Sequence, residues 1–420
     1  MKQSIYFLFC LCLIFLIFVS QSHSQDRSDS LRVLKNSAPK IYIDCSGCDI
    51  DFFKTEITFV NFVRDSKDAQ VHILITTQMT GGGGKEHTLT FIGRQDFSGI
   101  NDTLKYVSEQ SETEDNTRKG LLQVLKLGLI RYVAKTPIAG QISVSCIQQT
   151  EPTAVVDKWK SWVFSISANG YFNGEKSRNY VSLWGNLSAK RITPDWKVNL
   201  YVNGSYNEDR FKIDQQTISS ISKSKSLGGL VIRSITDHWS AGIFGDIFSS
   251  TYSNRKFAFE FEPGVEYDLF PYSESTRRQL RFIYWAGGQF SRYNEETIFD
   301  KTSELLFRQA LSVNLEVKQT WGSVSTRLEG SHYLHDLSKN ELELYSELSL
   351  RIFKGLSFNM SGQVSLVHNQ LSLPKRGATQ EEILLQRTQL ATQYYYWTSI
   401  GLSYTFGSIY SNVVNPRFGN

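Results

Sequence analysis

From Trp159 to Phe406, apolar and polar residues trade places at every second position, and short polar turns interrupt the pattern. The clearest stretch runs from Leu305 to Lys318. Leu305, Phe307, Leu311, Val313, Leu315 and Val317 fall on one parity, and Arg308, Ser312, Asn314, Glu316 and Lys318 on the other. Successive side chains of a strand point to opposite faces, so this stretch predicts a strand with one apolar and one charged side. Many such strands, each of about ten residues, are the signature of a transmembrane β-barrel, apolar outside and polar inside.

Twelve alternating segments follow one another, with cores beginning at Trp162, Tyr180, Trp196, Ser224, Ser240, Phe257, Gln279, Glu304, Ser323, Asn340, Leu356 and Tyr395. The expected fold is therefore mainly β, a 12-stranded antiparallel transmembrane β-barrel over residues 159–407 preceded by a small α/β domain. An even count returns both ends to one side of a membrane. Lipid offers no partner for free N–H and C=O groups, so strand twelve is expected to pair with strand one. Connections after even-numbered strands are mostly short, as at residues 193–195, 236–238 and 353–355, whereas 208–219, 293–303 and 371–393 are long. Short turns belong on the periplasmic side, which orients the barrel. Trp196, Trp239, Tyr404 and Phe406 then fall near the periplasmic rim on the lipid side, where an aromatic girdle belongs. A soluble β-sandwich would also alternate, but it needs neither loop asymmetry nor an aromatic rim.

Residues 1–24 have the layout of a secretory signal: Lys2, an apolar run from Ile5 to Val19, and small residues before a cut ahead of Gln25. Residues 25–39 are polar and expected to be flexible, 40–147 to form a periplasmic α/β domain, 148–158 a linker, and 408–420 a periplasmic tail. In the α/β domain, Ile41–Ile43, Val71–Ile75 and Thr88–Ile92 are expected strands, and residues 142–145 a last one. A helix is expected near Phe52 to Val63. A longer one runs from Asp115 to Lys135, where Leu121, Leu122, Leu125, Leu129, Tyr132 and Val133 recur at helical spacing. Thr113 or Asp115 would cap it and Pro137 would end it.

A net charge of +4 argues against a nucleic-acid surface, and aromatic residues at 13 % suit strands with interfacial girdles. The partners this predicts are outer-membrane lipid and a periplasmic envelope protein. No cofactor is expected. By parity the inner face carries Glu260, Glu262, Glu266, Asp268, Arg281, Arg308, Glu316, Lys318, Arg327, Glu329, Glu341, Glu343, Glu347 and Arg351. Inward positions of strands one to three and eleven are mostly neutral, among them Ser165, Asn169, Asn186, Asn203, Ser361 and Gln363. The charges either set selectivity in a water-filled channel or fill a narrow lumen with ion pairs.

Three motifs could carry chemistry. Cys45 and Cys48 are a candidate disulfide, since an exported chain meets an oxidising compartment. A strand–CxxC–helix order also fits a redox motif, but nothing else in the domain supports that use. The run Gly81 to Lys85 lacks a phosphate loop's first glycine and its Ser/Thr, so a hairpin turn is expected there. His332 and His335 differ by three positions and have no positioned serine partner, so they do not make a catalytic set. An enzyme is not expected, although a barrel lipase or protease stands as the alternative class.

The segments Val163-Phe164-Ser165-Ile166-Ser167-Ala168-Asn169-Gly170 and Phe261-Glu262-Pro263-Gly264-Val265-Glu266-Tyr267, with the turn into Trp196 and the Gly287-Gly288 strand, resemble the barrels of the salt-induced outer membrane proteins. The resemblance covers about residues 159–293. Gly401-Leu402-Ser403-Tyr404-Thr405-Phe406-Gly407 looks like a closing strand of Bacteroidota-type barrels. The order of strands and helix in the N-terminal part resembles small α/β domains of envelope proteins such as the translocation protein TolB. These resemblances imply an outer-membrane location and periplasmic contacts. The expected function is a channel or an envelope-integrity role, with docking of an envelope partner as a third use.

Overall fold

The computed structural model describes residues 37–81, 83–143, 158–213, 216–377, 389–412, 415 and 417. The signal-like segment, most of the linker and Cys146 lie outside the described residues.

Two sheets organise the chain. The first has the order β2-β1-β3-β4-β5, from β1 (Lys40–Asp44), β2 (Asn61–Phe62), β3 (Val71–Met79), β4 (Lys85–Gly93) and β5 (Asn101–Ser108). β1 pairs in parallel with β2 and β3, and β3, β4 and β5 form an antiparallel meander. Between β1 and β2 lies the short helix α1 (Ile50–Glu56), capped by the Asp49 carboxylate on the Phe52 N–H at 3.0 Å. Helix α2 (Glu114–Val133) is capped by Thr113, whose hydroxyl accepts from Asn116 N–H. Its apolar stripe, with Leu125, Leu129 and Tyr132 fully buried, packs on Ile41, Ile73, Leu89 and Phe91. Each such side chain contributes about 1.5–3 kcal/mol by leaving water, so this stripe anchors the domain.

The domain differs from the expected pattern in three places. The first helix ends at Glu56 rather than near Val63, because Asn61 and Phe62 form β2 beside β1. β5 was not expected; its alternation is masked by Asp102 and Lys105, and only Leu104 and Tyr106 reach the core. Ile142 and Ser143 are not in a strand, and the rest of that expected strand lies outside the described residues.

The second sheet contains all twelve expected strands, antiparallel and in sequence order: β6 (Trp162–Gly174), β7 (Arg178–Ile192), β8 (Trp196–Ile213), β9 (Gln216–Ser234), β10 (Trp239–Ser250), β11 (Arg255–Asp268), β12 (Arg278–Tyr293), β13 (Ser303–Gln319), β14 (Gly322–Tyr333), β15 (Asp336–Phe353), β16 (Leu356–Val367) and β17 (Tyr394–Tyr404). The sheet is not closed: β6 and β17 stand at its two ends without pairing to each other. The expected pairing of strand twelve with strand one is therefore absent among the described residues. An open edge is tolerated where water satisfies its N–H and C=O groups and is costly only in lipid.

Register fixes which side chains share a face. Phe259 is opposite Phe290, Phe290 opposite Leu305, Val313 opposite Leu328, and Leu328 opposite Leu344, so one face is apolar across neighbouring strands. The other face carries the polar set. At the turn end nearest the N-terminal domain, Trp239 packs on Tyr267 at 4.8 Å and Tyr404 on Phe406 at 5.5 Å, all exposed or half-buried.

Candidate functional site

The fourteen charged residues singled out from parity all fall on the polar face, but they gather in separate groups rather than one network. Arg308 Nε lies 3.3 Å from Glu262 Oε1, an ion contact without hydrogen-bond geometry, and Glu260 is beside both. Arg281 reaches Glu316 at 3.4 Å, and Arg327 pairs with Glu329. Glu266 accepts from the Tyr272 hydroxyl at 2.7 Å. Buried Asp268 accepts the Leu280 and Phe270 N–H groups at 3.1 and 3.2 Å, which pins the turn after β11. Glu329 and Glu343 stand directly opposite each other across β14 and β15. Like charges so placed repel. Arg327 neutralises one, while Gln363 and Ser365 donate to the other at 2.8 and 3.3 Å. Glu341 accepts from Asn369 at 2.7 Å, and Glu347 and Lys318 line a cavity described below.

Arg351, the fourteenth, reaches from the sheet to the N-terminal domain. It sits near the turn end of β15 and donates two hydrogen bonds, at 2.6 and 2.7 Å, to the two carboxylate oxygens of Asp44 at the end of β1. It also donates to the Tyr42 hydroxyl at 3.3 Å and to Thr320 C=O at 3.2 Å. A two-pronged guanidinium–carboxylate pair fixes orientation as well as distance. Behind it, Arg94 Nη2 lies 3.0 Å from His72 Nδ1 and His72 Nε2 lies 3.2 Å from Asp44 Oδ2. Arginine has no acceptor, so Nδ1 must accept and Nε2 must carry the proton. Burial favours this neutral imidazole and lowers its pKa, against the pull of Asp44. Burial pushes the Asp44 carboxyl up, but hydrogen bonds from His72 and Arg351 outweigh it and hold the pKa below the ordinary value.

Other contacts extend the junction along the same end of the large sheet. Lys354 pairs with Asp68 at 2.6 Å, and Gly355 N–H donates to Asp65. Gly355 has φ +77°, which lets the two-residue turn between β15 and β16 present that N–H outward. Gln78 donates to the Ser275 hydroxyl at 3.2 Å in the turn after β11. Beyond β17, the chain returns and adds a short antiparallel segment to the free edge of β2: Arg64 N–H bonds Ile409 C=O at 2.8 Å and Ser411 N–H bonds Phe62 C=O at 2.9 Å. The domain is thus tied to the sheet through its turns and through the tail.

A polar cavity of about 650 Å³ lies at this junction, lined from the domain by Asp44, Ser46 and Thr77 and from the sheet by Lys318, Glu347 and Arg351. Cys45 and Cys48 are joined in a disulfide. The link sits between two anchoring carboxylates: Asp44, which holds Arg351, and Asp49, which caps α1 and accepts from Arg118 of α2 at 2.8 Å. A second cavity of about 770 Å³ opens on the other side of the disulfide beside His87, whose Nδ1 is 3.0 Å from the Thr77 hydroxyl.

The opposite end of the large sheet is bridged by its loops. Buried Asn254, after β10, donates to Glu295 C=O at 3.0 Å and to Ser372 C=O at 2.9 Å and accepts from Glu295 N–H. Ile298 N–H bonds Leu373 C=O at 2.9 Å, and Leu371 is buried against Leu306 and Tyr333. The Asn254–Ser372 bond joins loops six strands apart in the sheet order and the Ile298–Leu373 bond loops four strands apart, so the sheet is strongly curved toward its polar face.

The remaining candidates lie elsewhere. His332 is on the apolar face, its Nε2 2.7 Å from Gln309 Nε2, and His335 is in the turn before β15. Gly81, Gly83 and Gly84 form the β3–β4 turn. Among the described residues no group of His, Cys, Asp and Glu is placed to hold a metal ion, and no helix is long and apolar enough to cross a membrane. No protein-family model matches the chain, and no curated protein matches it.

Sequence reasoning missed Asp44, Asp65, Asp68, Lys354 and Asn254. Single polar residues that meet across hundreds of positions leave no periodic signal.

Proposed function

We propose that the chain is an outer-membrane β-barrel protein that acts as a gated channel, with the Lys40–Ser143 domain as its periplasmic gate. In lipid the free edges of β6 and β17 would pair, because unpaired backbone groups in hydrocarbon cost several kcal/mol each. The observation that carries the reading is the Arg351–Asp44 pair. A residue of the polar face is held by the domain at the end of the sheet where the short turns lie. The other contacts, from Gln78–Ser275 to the tail on β2, spread the domain across that end. On this reading the loops around Asn254 close the outer mouth, and the ion pairs of β11 to β15 line a lumen that conducts when the gate leaves.

Fractionation and reconstitution test it. The protein should partition with outer membranes and show migration that changes on boiling, as closed barrels do. In planar bilayers it should give rare openings, made frequent by Arg351→Ala. Recovery in the soluble fraction, or no openings from wild type and variant alike, would refute the channel.

A further inference from the structure

The polar face is divided by charge. Inward positions of β6, β9, β16 and β17 hold no Lys, Arg, His, Asp or Glu, whereas the charge pairs concentrate on β11 to β15. On β7 and β8 the exceptions sit toward the two ends: Lys190 and Lys197 at one, and the Arg178–Asp209 pair at the other. Between them runs a ladder of neutral hydrogen bonds: Asn186 to Asn203 at 2.6 Å, Ser182 to Asn207 at 2.6 Å, and Ser205 to Ser224 at 2.7 Å.

Aromatic rings stand among these neutral groups. Register puts Tyr171 opposite Ser182, Trp184 opposite Asn169, and Trp397 opposite Gln363, all on the polar face. Trp184 is 45 % and Trp397 36 % exposed, so their rings are not packed away in a core. Trp397 is oriented by its indole N–H, which donates to Gln363 Oε1 at 3.2 Å, and the Tyr345 ring lies 6.4 Å from it. Exposed rings and a hydroxyl- and amide-lined wall without charge match one ligand chemistry. An anion would need cations here, and a lipid tail would need an apolar stripe. A neutral polyhydroxylated solute stacks its C–H faces on the rings and exchanges hydrogen bonds with Ser and Asn.

β6 to β9 stand at one end of the open sheet, with Trp184 on β7, and β16 and β17 at the other, with Trp397 on β17; pairing of β6 with β17 in a closed barrel would join the two stretches into one uncharged wall. We propose that this joined wall binds neutral oligosaccharides, with Trp184 and Trp397 as the stacking residues. The proposal rests on the channel reading and names the class of solute that would pass. The test uses the full-length chain purified in detergent, titrated by calorimetry with maltoheptaose, cellohexaose and, as a charged comparison, a galacturonate oligomer. Wild type should bind at least one neutral sugar saturably and the charged one at least tenfold more weakly. The double variant W184A/W397A should lose tenfold or more, and W184F/W397F, which keeps both rings, should retain most of the affinity. No saturable binding of either neutral sugar, equal binding of the charged one, or unchanged affinity in the alanine variant would overturn the proposal. Bilayer conductance is scored separately: openings without sugar binding refute only this inference, and sugar binding without openings refutes only the channel.

Discussion

Arg351 on β15 and Asp44 on β1 are 307 residues apart in the chain and share two hydrogen bonds of 2.6 and 2.7 Å. The pair is partly shielded, with side chains 30 % and 18 % exposed. It therefore lies between a surface ion pair worth under about 1 kcal/mol and a fully buried one whose disruption costs about 3–5 kcal/mol. Arg351→Ala should weaken docking of the domain by about 2 kcal/mol, near the range for hydrogen bonds to charged groups. Hydrogen exchange should show faster exchange in β1 and in the β15–β16 turn, with the α2 core unchanged. Equal protection in wild type and variant would contradict it.

Acid should loosen the domain. The Asp44 pKa is depressed in the folded state, so its contribution is present above its unfolded value of about 3.9 and is lost as pH falls through the folded value. His72 is held neutral by burial, with a pKa below 6.5. The unfolded state therefore takes up its proton first, and stability declines as pH falls below about 6.5 toward the folded value. Both groups act in the same direction, and His72 acts at the milder pH. Thermal unfolding of the domain between pH 7.5 and 5 should show a falling midpoint, and His72→Gln should flatten that slope. A midpoint that rises on acidification would be the opposite of this expectation.

Gly128 tests the packing of α2. Glycine inside a helix costs about 1 kcal/mol relative to alanine, so propensity alone favours Gly128→Ala. A Cβ there would meet the Phe91 ring at 2.1 Å, and Phe91 is fully buried. Overpacking costs about 1–3 kcal/mol, so the substitution should destabilise the domain in denaturant unfolding. A stabilised variant would show that the core yields more easily than its burial implies.

The loops at the end of the large sheet away from the N-terminal domain depend on Asn254. It adopts φ +56°, which Asn tolerates better than most residues, and it is buried with hydrogen bonds to two loops. Asn254→Ala would leave the buried Ser372 carbonyl unpaired, at about 1–3 kcal/mol, and would release the more exposed Glu295 backbone. Limited proteolysis should then cut residues 294–302 and 368–377 sooner, while the N-terminal domain resists as before. Unaltered cleavage would mean the loops are held by Leu371 and its neighbours instead.

Much of the architecture was legible because strands repeat with period two. Leu305 to Lys318 alone displayed both faces of β13, and the twelve segments matched the twelve strands. Helix α2 was legible from the spacing of Leu121, Leu125 and Leu129. Shorter or less apolar elements were not. β2 has two residues, too few for any period, so the stretch up to Val63 is not distinguished from a continuation of the helix. β5 hides its inward Leu104 and Tyr106 among charges. Parity placed Arg351 correctly on the polar face, yet nothing local marked Asp44 as its partner. Trp184 and Trp397 also fall on polar parity, a signal present in the sequence.

On the proposed channel reading, the domain gates a lumen lined by the sheet's polar face through Arg351 and Asp44. A charge-swap cycle in planar bilayers tests it most directly. Arg351→Asp and Asp44→Arg alone should each raise open probability about tenfold or more, and the double swap should restore the closed behaviour of wild type. Single swaps that conduct no more than wild type, or a double swap as open as the singles, would contradict the account.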